Sequence, residues 1–274
     1  MEHTAEVAIG LRKDMKTSLS IALSKLTTPL EPPKNLARIV IKPSIYDPKL
    51  VGNTSIDVVR AVIHSFKSLG PVYLVESDNP IRTAADAFIN CGYDSLIEDG
   101  IELVSLSEQP TKKILMPGHY FKDHSIPMLI QNGCFMINVP TVKLEPGIST
   151  IGAGIKNLFG LLPETDKSKY HERIDDVLID LLTILRPHIT IVDLSKLIIG
   201  KREDCITREV GAVLVGRDPV AIDAICASLY GIDPMEVTYL KKAYDLELGE
   251  AIVDRIRIIG TDEQKAKLFE LCRL

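Results

Sequence analysis

The sequence predicts an α/β protein with a largely parallel or mixed sheet and helices on both faces. Three observations carry this. Short runs rich in Val and Ile alternate with helical patterns of ten or more residues, the arrangement of a parallel sheet covered on both sides. Four of the runs finish on a polar or ionisable residue, Lys42 after RIVI, Glu76 after VYLV, Asn138 after FMI and Asp193 after ITIV. A chain of 274 residues can bury a full core without staples.

In order, residues 8–26 read as an amphipathic helix, and LTTPLEPPKN as a stiff proline-rich connector. Residues 1–35 are thus expected to form an amino-terminal helix and linker. Residues 36–274 form a single α/β domain, with room for two lobes in one compact unit. That domain opens with a βαβα series: the strand RIVIKPS, the glycine-ended helix SIDVVRAVIHSFKSLG, the strand PVYLVESDN and the helix RTAADAFINCGY. KKILMP reads as a strand, IPMLIQNG as helical, and CFMINVP as a strand. Residues 149–162 read as a helix, because Ile151, Ile155, Leu158 and Leu162 fall at core spacing. A long helix follows near ERIDDVLIDLLTIL, then the strands HITIVDL and EVGAVLVG, helices over 219–230 and 234–246, and a closing strand RIRIIG. Asp218 before Pro219 is an N-cap followed by a first-turn proline.

Composition removes several function classes. A formal charge of −5, no tryptophan and 5% aromatics argue against a nucleic-acid binder. No run of eighteen uncharged apolar residues and no cleavable leader occur, so the protein is expected to be cytoplasmic, with no membrane partner. The five cysteines form no C-x-x-C pair, so no iron-sulfur motif is present; they read as reduced, mostly packed thiols. No histidine pair has carboxylates at metal spacing, so no metal site is assigned, and the cofactor is left undefined.

The functional weight falls on 138–171, NVPTVKLEPGISTIGAGIKNLFGLLPETDKSKYH. Gly152, Lys156 and Gly160 form one helical row, giving a lysine with bare backbone one turn above and below it. Gly147 and Gly152 have phosphate-loop spacing, but Ala153 stands where the loop's lysine belongs, and no Ser or Thr for magnesium follows Lys156. A looser reading keeps the glycine amides and a helix start, capped by Ser149 or Thr150, as a carboxylate or phosphate holder near Lys156. The competing reading is a small-residue helix contact with a snorkelling lysine. Polar strand ends gather in the crevice beyond a parallel sheet, so Lys42, Glu76, Asn138 and Asp193 are expected to share one cleft. Asp223 lies in the apolar PVAIDAICASLY and needs a cationic partner or a proton; Lys156 is the candidate partner. His171 is a candidate acid, base or ligand. No G-x-S-x-G elbow and no G-x-G-x-x-G turn occur.

The phrases IKPS, VESDN, CGY, INVPTVK, GIKNLFG followed by Lys167 and His171, IVD, GRDPVAIDA and IIG together resemble the family of the domain of unknown function three-six-two. The similarity spans about residues 38–260. It implies an α/β protein of a type spread through archaea and bacteria, in which many relatives carry a ferredoxin-like module for four-iron four-sulfur clusters. This chain is expected to lack that module. Lys143, Lys156, Asn157, Lys167, His171, Asp193, Asp218 and Asp223 match the family pattern. The family commonly reads lysine-threonine-histidine where this chain has Lys143, Leu144 and Glu145, so no histidine role carries over to position 145. The family's glycine-proline after the IVD strand is here IIGKREDC.

Two functions follow. The first is an enzyme binding a small anionic metabolite in the strand-end cleft, with a redox link implied by the resemblance. Lys42, Asn138, Lys143, Lys156, Asn157, Lys167 and Asp193 would bind the ligand, and Glu76, His171 and Asp223 would handle protons. The second is a non-catalytic scaffold or docking partner of an iron-sulfur or redox protein, with the glycine row as its face. The candidate macromolecular partners are a second copy of the chain or a separate ferredoxin-like protein.

Overall fold

A computed structural model describes residues 5–12, 14–27, 30–201 and 204–273. In chain order its elements are β1 (Ala5–Leu11), α1 (Met15–Lys25), β2 (Arg38–Pro43), α2 (Ile56–Phe66), β3 (Val72–Glu76), α3 (Ala84–Asn90) and β4 (Glu102–Ser105). Next come β5 (Thr111–Leu115), β6 (Asp123–Pro127), β7 (Cys134–Val139), β8 (Lys143–Glu145), β9 (Thr150–Gly152), α4 (Gly154–Asn157) and α5 (Ile174–Ile184). The chain closes with β10 (Ile189–Lys201), β11 (Asp204–Gly216), α6 (Pro219–Leu229), α7 (Thr238–Asp245), β12 (Ile256–Ile259) and α8 (Asp262–Cys272).

The main sheet has eight strands in the order β12-β1-β11-β10-β7-β2-β3-β4. β11 runs antiparallel to both neighbours, and every other pairing in the sheet is parallel. The predicted fold class is therefore the observed one. Alternation along β2 shows why both faces are covered. Ile39 and Ile41 enter one apolar core with α1, α2 and α3, and Val40 enters the other with α5, α6 and α7.

Helix ends follow local sequence. Ser55 caps α2, Thr83 and Asp86 form a capping box on α3, and Asp218 accepts from the amides of Val220 and Ala221 with Pro219 in the first turn of α6.

Three segments differ from expectation. Residues 8–26 are not one helix: β1 lies in the sheet between β11 and β12, and the helix starts at Met15. A side chain at Gly10 would strike the backbone of Ser18, so β1 and α1 pack at a distance only glycine allows. An apolar run buried on both sides carries no period that separates strand from helix. IPMLIQNG completes β6 and turns at Met128–Ile130, because Pro127 favours an extended residue before it and leaves too short a stretch for a helix. Residues 149–162 begin as a hairpin: β8 and β9 pair through Leu144 and Ile151, with Gly147 and Thr150 at positive φ in the turn. The helical part starts only at Gly154.

A second small sheet pairs β5 with β6, and the loop joining its two strands is anchored to α5 by a buried carboxylate. Asp180, fully buried, accepts from the amides of His119, Tyr120 and Phe121 at 3.1, 2.9 and 2.8 Å. Asp180→Ala orphans the buried Phe121 amide and the half-buried amides of His119 and Tyr120 and should cost at least about 2 kcal/mol, read as a lower urea midpoint at unchanged m-value. A cost under about 0.5 kcal/mol would contradict the anchoring role.

Candidate functional site: a cationic cleft at the strand ends

The floor of the site comes from strand register. Lys42 of β2 pairs with Asn138 of β7, and Asn138 with Thr190 of β10, so three polar side chains form a row across an otherwise apolar face. α4 sits on that row. The Asn138 amide donates to the Gly154 carbonyl at 2.8 Å, and Asn157 donates to Asn138 Oδ1 at 2.8 Å and to the Lys42 carbonyl at 3.1 Å.

Asp223 fixes the start of α4 from α6. Fully buried, it accepts from the amides of Gly154 and Ile155 at 2.7 and 3.0 Å and from the Tyr239 hydroxyl at 3.0 Å. Burial pushes its carboxyl up to about 7 against these donors. Asp223 thus supplies the acceptor that the sequence had suggested for Ser149 or Thr150, and in place of the expected lysine it takes hydrogen bonds from two backbone amides and a tyrosine hydroxyl. A β-carbon on Gly154 would lie 2.8 Å from the Asp223 carboxylate, which explains the glycine.

Lys42 donates to Glu76 at 2.9 Å and to the Pro43 carbonyl at 2.7 Å, and the pair is 1% and 2% exposed. Burial pulls the Lys42 ammonium below its ordinary value, against the opposing pull of Glu76. Gly160 closes over this pair: a β-carbon there would lie 2.9 Å from Lys42 Nζ and 3.2 Å from Glu76 Oε1. Arg82, absent from the sequence expectations, reaches Glu76 at 3.8 Å and donates to the carbonyls of Ile45, Tyr46 and Ser77. It ties the segments after β2 and β3 together, and its only sequence signal was its place beyond the turn SDNP.

Above this floor opens a cleft of about 550 Å³ at the carboxyl ends of β2 and β3, walled by the β8–β9 hairpin and by residues 165–171. Lys42, Glu76, Lys143, Lys156, Asn157, Lys167 and His171 all line it. Asn138 lies beneath it, fully buried. Asp193 does not end its strand, because β10 runs on to Lys201. It faces a separate groove with Ser55 and Thr141, accepting from the amides of Ser55 and Ser195 at 2.7 and 2.8 Å.

Among the described residues, the cleft lining carries more cationic than anionic side chains. Lys42, Arg82, Lys143, Lys156, Lys167 and Lys201 face Glu76, Asp78, Glu145 and Asp166, in a chain whose net charge is −5. Lys143 Nζ donates to Thr141 Oγ1 at 2.6 Å, Ser44 Oγ at 3.1 Å and the Gly52 carbonyl at 3.3 Å. Lys156 lies 4.6 Å from the Phe159 ring centroid, and that ring lies 5.1 Å from His171. Burial and the Lys156 charge hold His171 below the ordinary histidine value. Lys167, 8% exposed, donates to the Asp78 carbonyl at 2.9 Å. Burial, aided by Lys42 and Arg82 and opposed by Glu76 and Glu164, lowers its ammonium to about 8.

Among the described residues no three His, Cys, Asp or Glu side chains gather as metal ligands, and no helix is long and apolar enough to cross a membrane. The cysteines are unpaired, and burial raises the thiols of Cys91 and Cys134 to about 11 and 12.

Fold and cleft define an α/β protein with a cation-lined pocket at its strand ends. Residues 39–228 match the model of the domain of unknown function (DUF362), and the chain belongs to that family. The matched span runs from β2 into α6 and holds every cleft side chain named above. No curated protein and no solved structure matches the chain.

Competitive acylation with trace acetic anhydride, followed by peptide mapping, should titrate Lys167 with a midpoint near 8, against about 10.4 for solvent-exposed lysines. The sign for stability follows. The folded value lies below the unfolded one, so the penalty is complete below pH 8 and disappears as pH rises towards the unfolded value. A Lys167 midpoint equal to that of the exposed lysines would contradict the described environment.

Proposed function

We propose that the chain is an enzyme acting on a small anionic metabolite, a carboxylate or a phosphate ester, bound in the strand-end cleft. The observation that carries this reading is the cation excess around one buried carboxylate. Lys42 and Arg82 both approach Glu76, Lys167 feels the same carboxylate, and Lys156 stands in the same cleft. Excess positive charge in a half-enclosed site costs free energy, and a bound anion offsets that cost.

The groups divide by accessibility. Lys42 and Arg82 are committed to Glu76 and to backbone carbonyls, so they set the local potential. Lys156 is the principal anion holder in this reading. Lys143 and Asn157 shape the opposite wall and the floor. His171, whose imidazole is held below the ordinary histidine value by burial and by the Lys156 charge, accepts a proton from the substrate, and Glu76 and Lys167 complete the proton path. Asp223 and Asn138 act through α4, keeping Lys156 over the cleft.

Thermal unfolding in the presence of phosphate, phosphate esters and carboxylic acids tests the proposal. At least one such anion at saturating concentration should raise the Tm of the wild type by about 3 °C or more, and Lys156→Ala should lose that shift. If no anion shifts the wild type, or if Lys156→Ala responds equally, the cleft is not an anion site. The redox link carried by the family resemblance forms no part of the proposal.

A further inference from the structure

One cleft side chain is built for more than charge. Lys167 is nine-tenths buried, and its amine makes one hydrogen bond among the described residues, to the Asp78 carbonyl at 2.9 Å. A lysine recruited only to hold an anion gains from staying fully charged. Here burial lowers the ammonium to about 8, aided by Lys42 and Arg82 and only partly offset by the carboxylates Glu76 and Glu164. At neutral pH about a tenth of such an amine is unprotonated, against well under a thousandth for an exposed lysine. Desolvation beside other cations is the usual way of making a lysine nucleophilic.

The other parts of amine–carbonyl chemistry are in the same cleft. Lys156 can hold a carboxylate, and His171 lies four residues along the same wall to move protons. The apolar ring of Phe159 lies against both Lys156 and His171, at 4.6 and 5.1 Å.

Resting on the anion-binding reading above, we propose that Lys167 is a catalytic nucleophile whose amine condenses with the carbonyl group of a small oxo acid, its carboxylate held by Lys156, to give a Schiff base. The amine nitrogen attacks the carbonyl carbon, and a proton passes from nitrogen to the resulting oxygen. A second proton, the one that His171 takes from the Lys167 ammonium before the attack and then returns, allows that oxygen to leave as water while the carbon–nitrogen double bond forms. One water is released, and no oxidant or reductant is consumed. The protonated imine then draws electrons from the neighbouring carbon, the chemistry required for proton exchange, aldol cleavage or loss of carbon dioxide at that carbon.

The test is hydride trapping. Full-length protein is incubated separately with pyruvate and with acetoacetate, as a 2-oxo and a 3-oxo acid, with and without sodium borohydride, and mapped by peptide mass spectrometry. The expected result is a borohydride-dependent adduct concentrated on the Lys167 peptide with at least one of the two acids. Its yield should exceed that at any other lysine by about tenfold or more, in line with the larger unprotonated fraction. Lys167→Arg should abolish it, and Lys156→Ala should raise the acid concentration needed. Mapping of the wild type alone decides the matter if a variant does not fold. No adduct with either acid, or adducts spread evenly over surface lysines, overturns the proposal. If phosphate or a carboxylate still raises the wild-type Tm in that case, the anion-binding cleft stands and only the covalent step falls; if no anion shifts it, both fall.

Discussion

The ion pair between Lys42 and Glu76 is the constraint on which the site depends. Both side chains are sealed from water at the ends of adjacent parallel strands, 2.9 Å apart. Removing two charges from water costs several kcal/mol per ion, and mutual attraction offsets this only with good geometry and further hydrogen bonds. The structure supplies both. The Pro43 carbonyl takes a second Lys42 proton, the Ser77 amide donates to Glu76, and Gly160 lets the chain pass over the pair without a side chain in the way. The pair also places the floor of the cleft, because Lys42 shares a register position with Asn138, and Asn138 and Asn157 carry α4.

From that floor the site is built mostly by backbone anchoring. Arg82 holds the carbonyls of Ile45, Tyr46 and Ser77, Lys167 that of Asp78, and Asp223 holds the first amides of α4. Side chains bound to backbone fix loop positions whatever the ligand does, which is how a cleft made of loops can present charges at defined places. Burial lowers Lys167 and His171 together, with Lys156 adding to the effect at His171, and gives the cleft groups suited to proton or amine chemistry.

Much of this was legible in the sequence, and for identifiable reasons. Lys42 and Glu76 betrayed themselves as ionisable residues at the ends of Val- and Ile-rich runs, and Lys156, Lys167 and His171 by their density in a glycine-rich stretch. Asp193 looked like a strand end because the run ITIV stops there, yet β10 continues in a long hairpin with β11 that no local pattern announces. Asp223 was expected to need a cationic partner or a proton, but its partners are backbone amides of another element, which have no sequence signature. The hairpin of β8 and β9 was read as helix because Ile151 and Ile155 are both buried, one in a strand and one in a helix, at a spacing that suits a helix alone. Arg82 and Asp180 were missed because their work is to bind main-chain atoms of distant segments.

A double-mutant cycle in urea on Lys42→Met and Glu76→Gln tests the central dependence most directly. Each single change strands a polar or charged partner in a dry site and should cost about 3–5 kcal/mol, and the double change should cost less than the sum by at least about 1 kcal/mol. Single costs below about 1 kcal/mol that add to within about 0.5 kcal/mol would show that the pair neither couples nor organises the cleft.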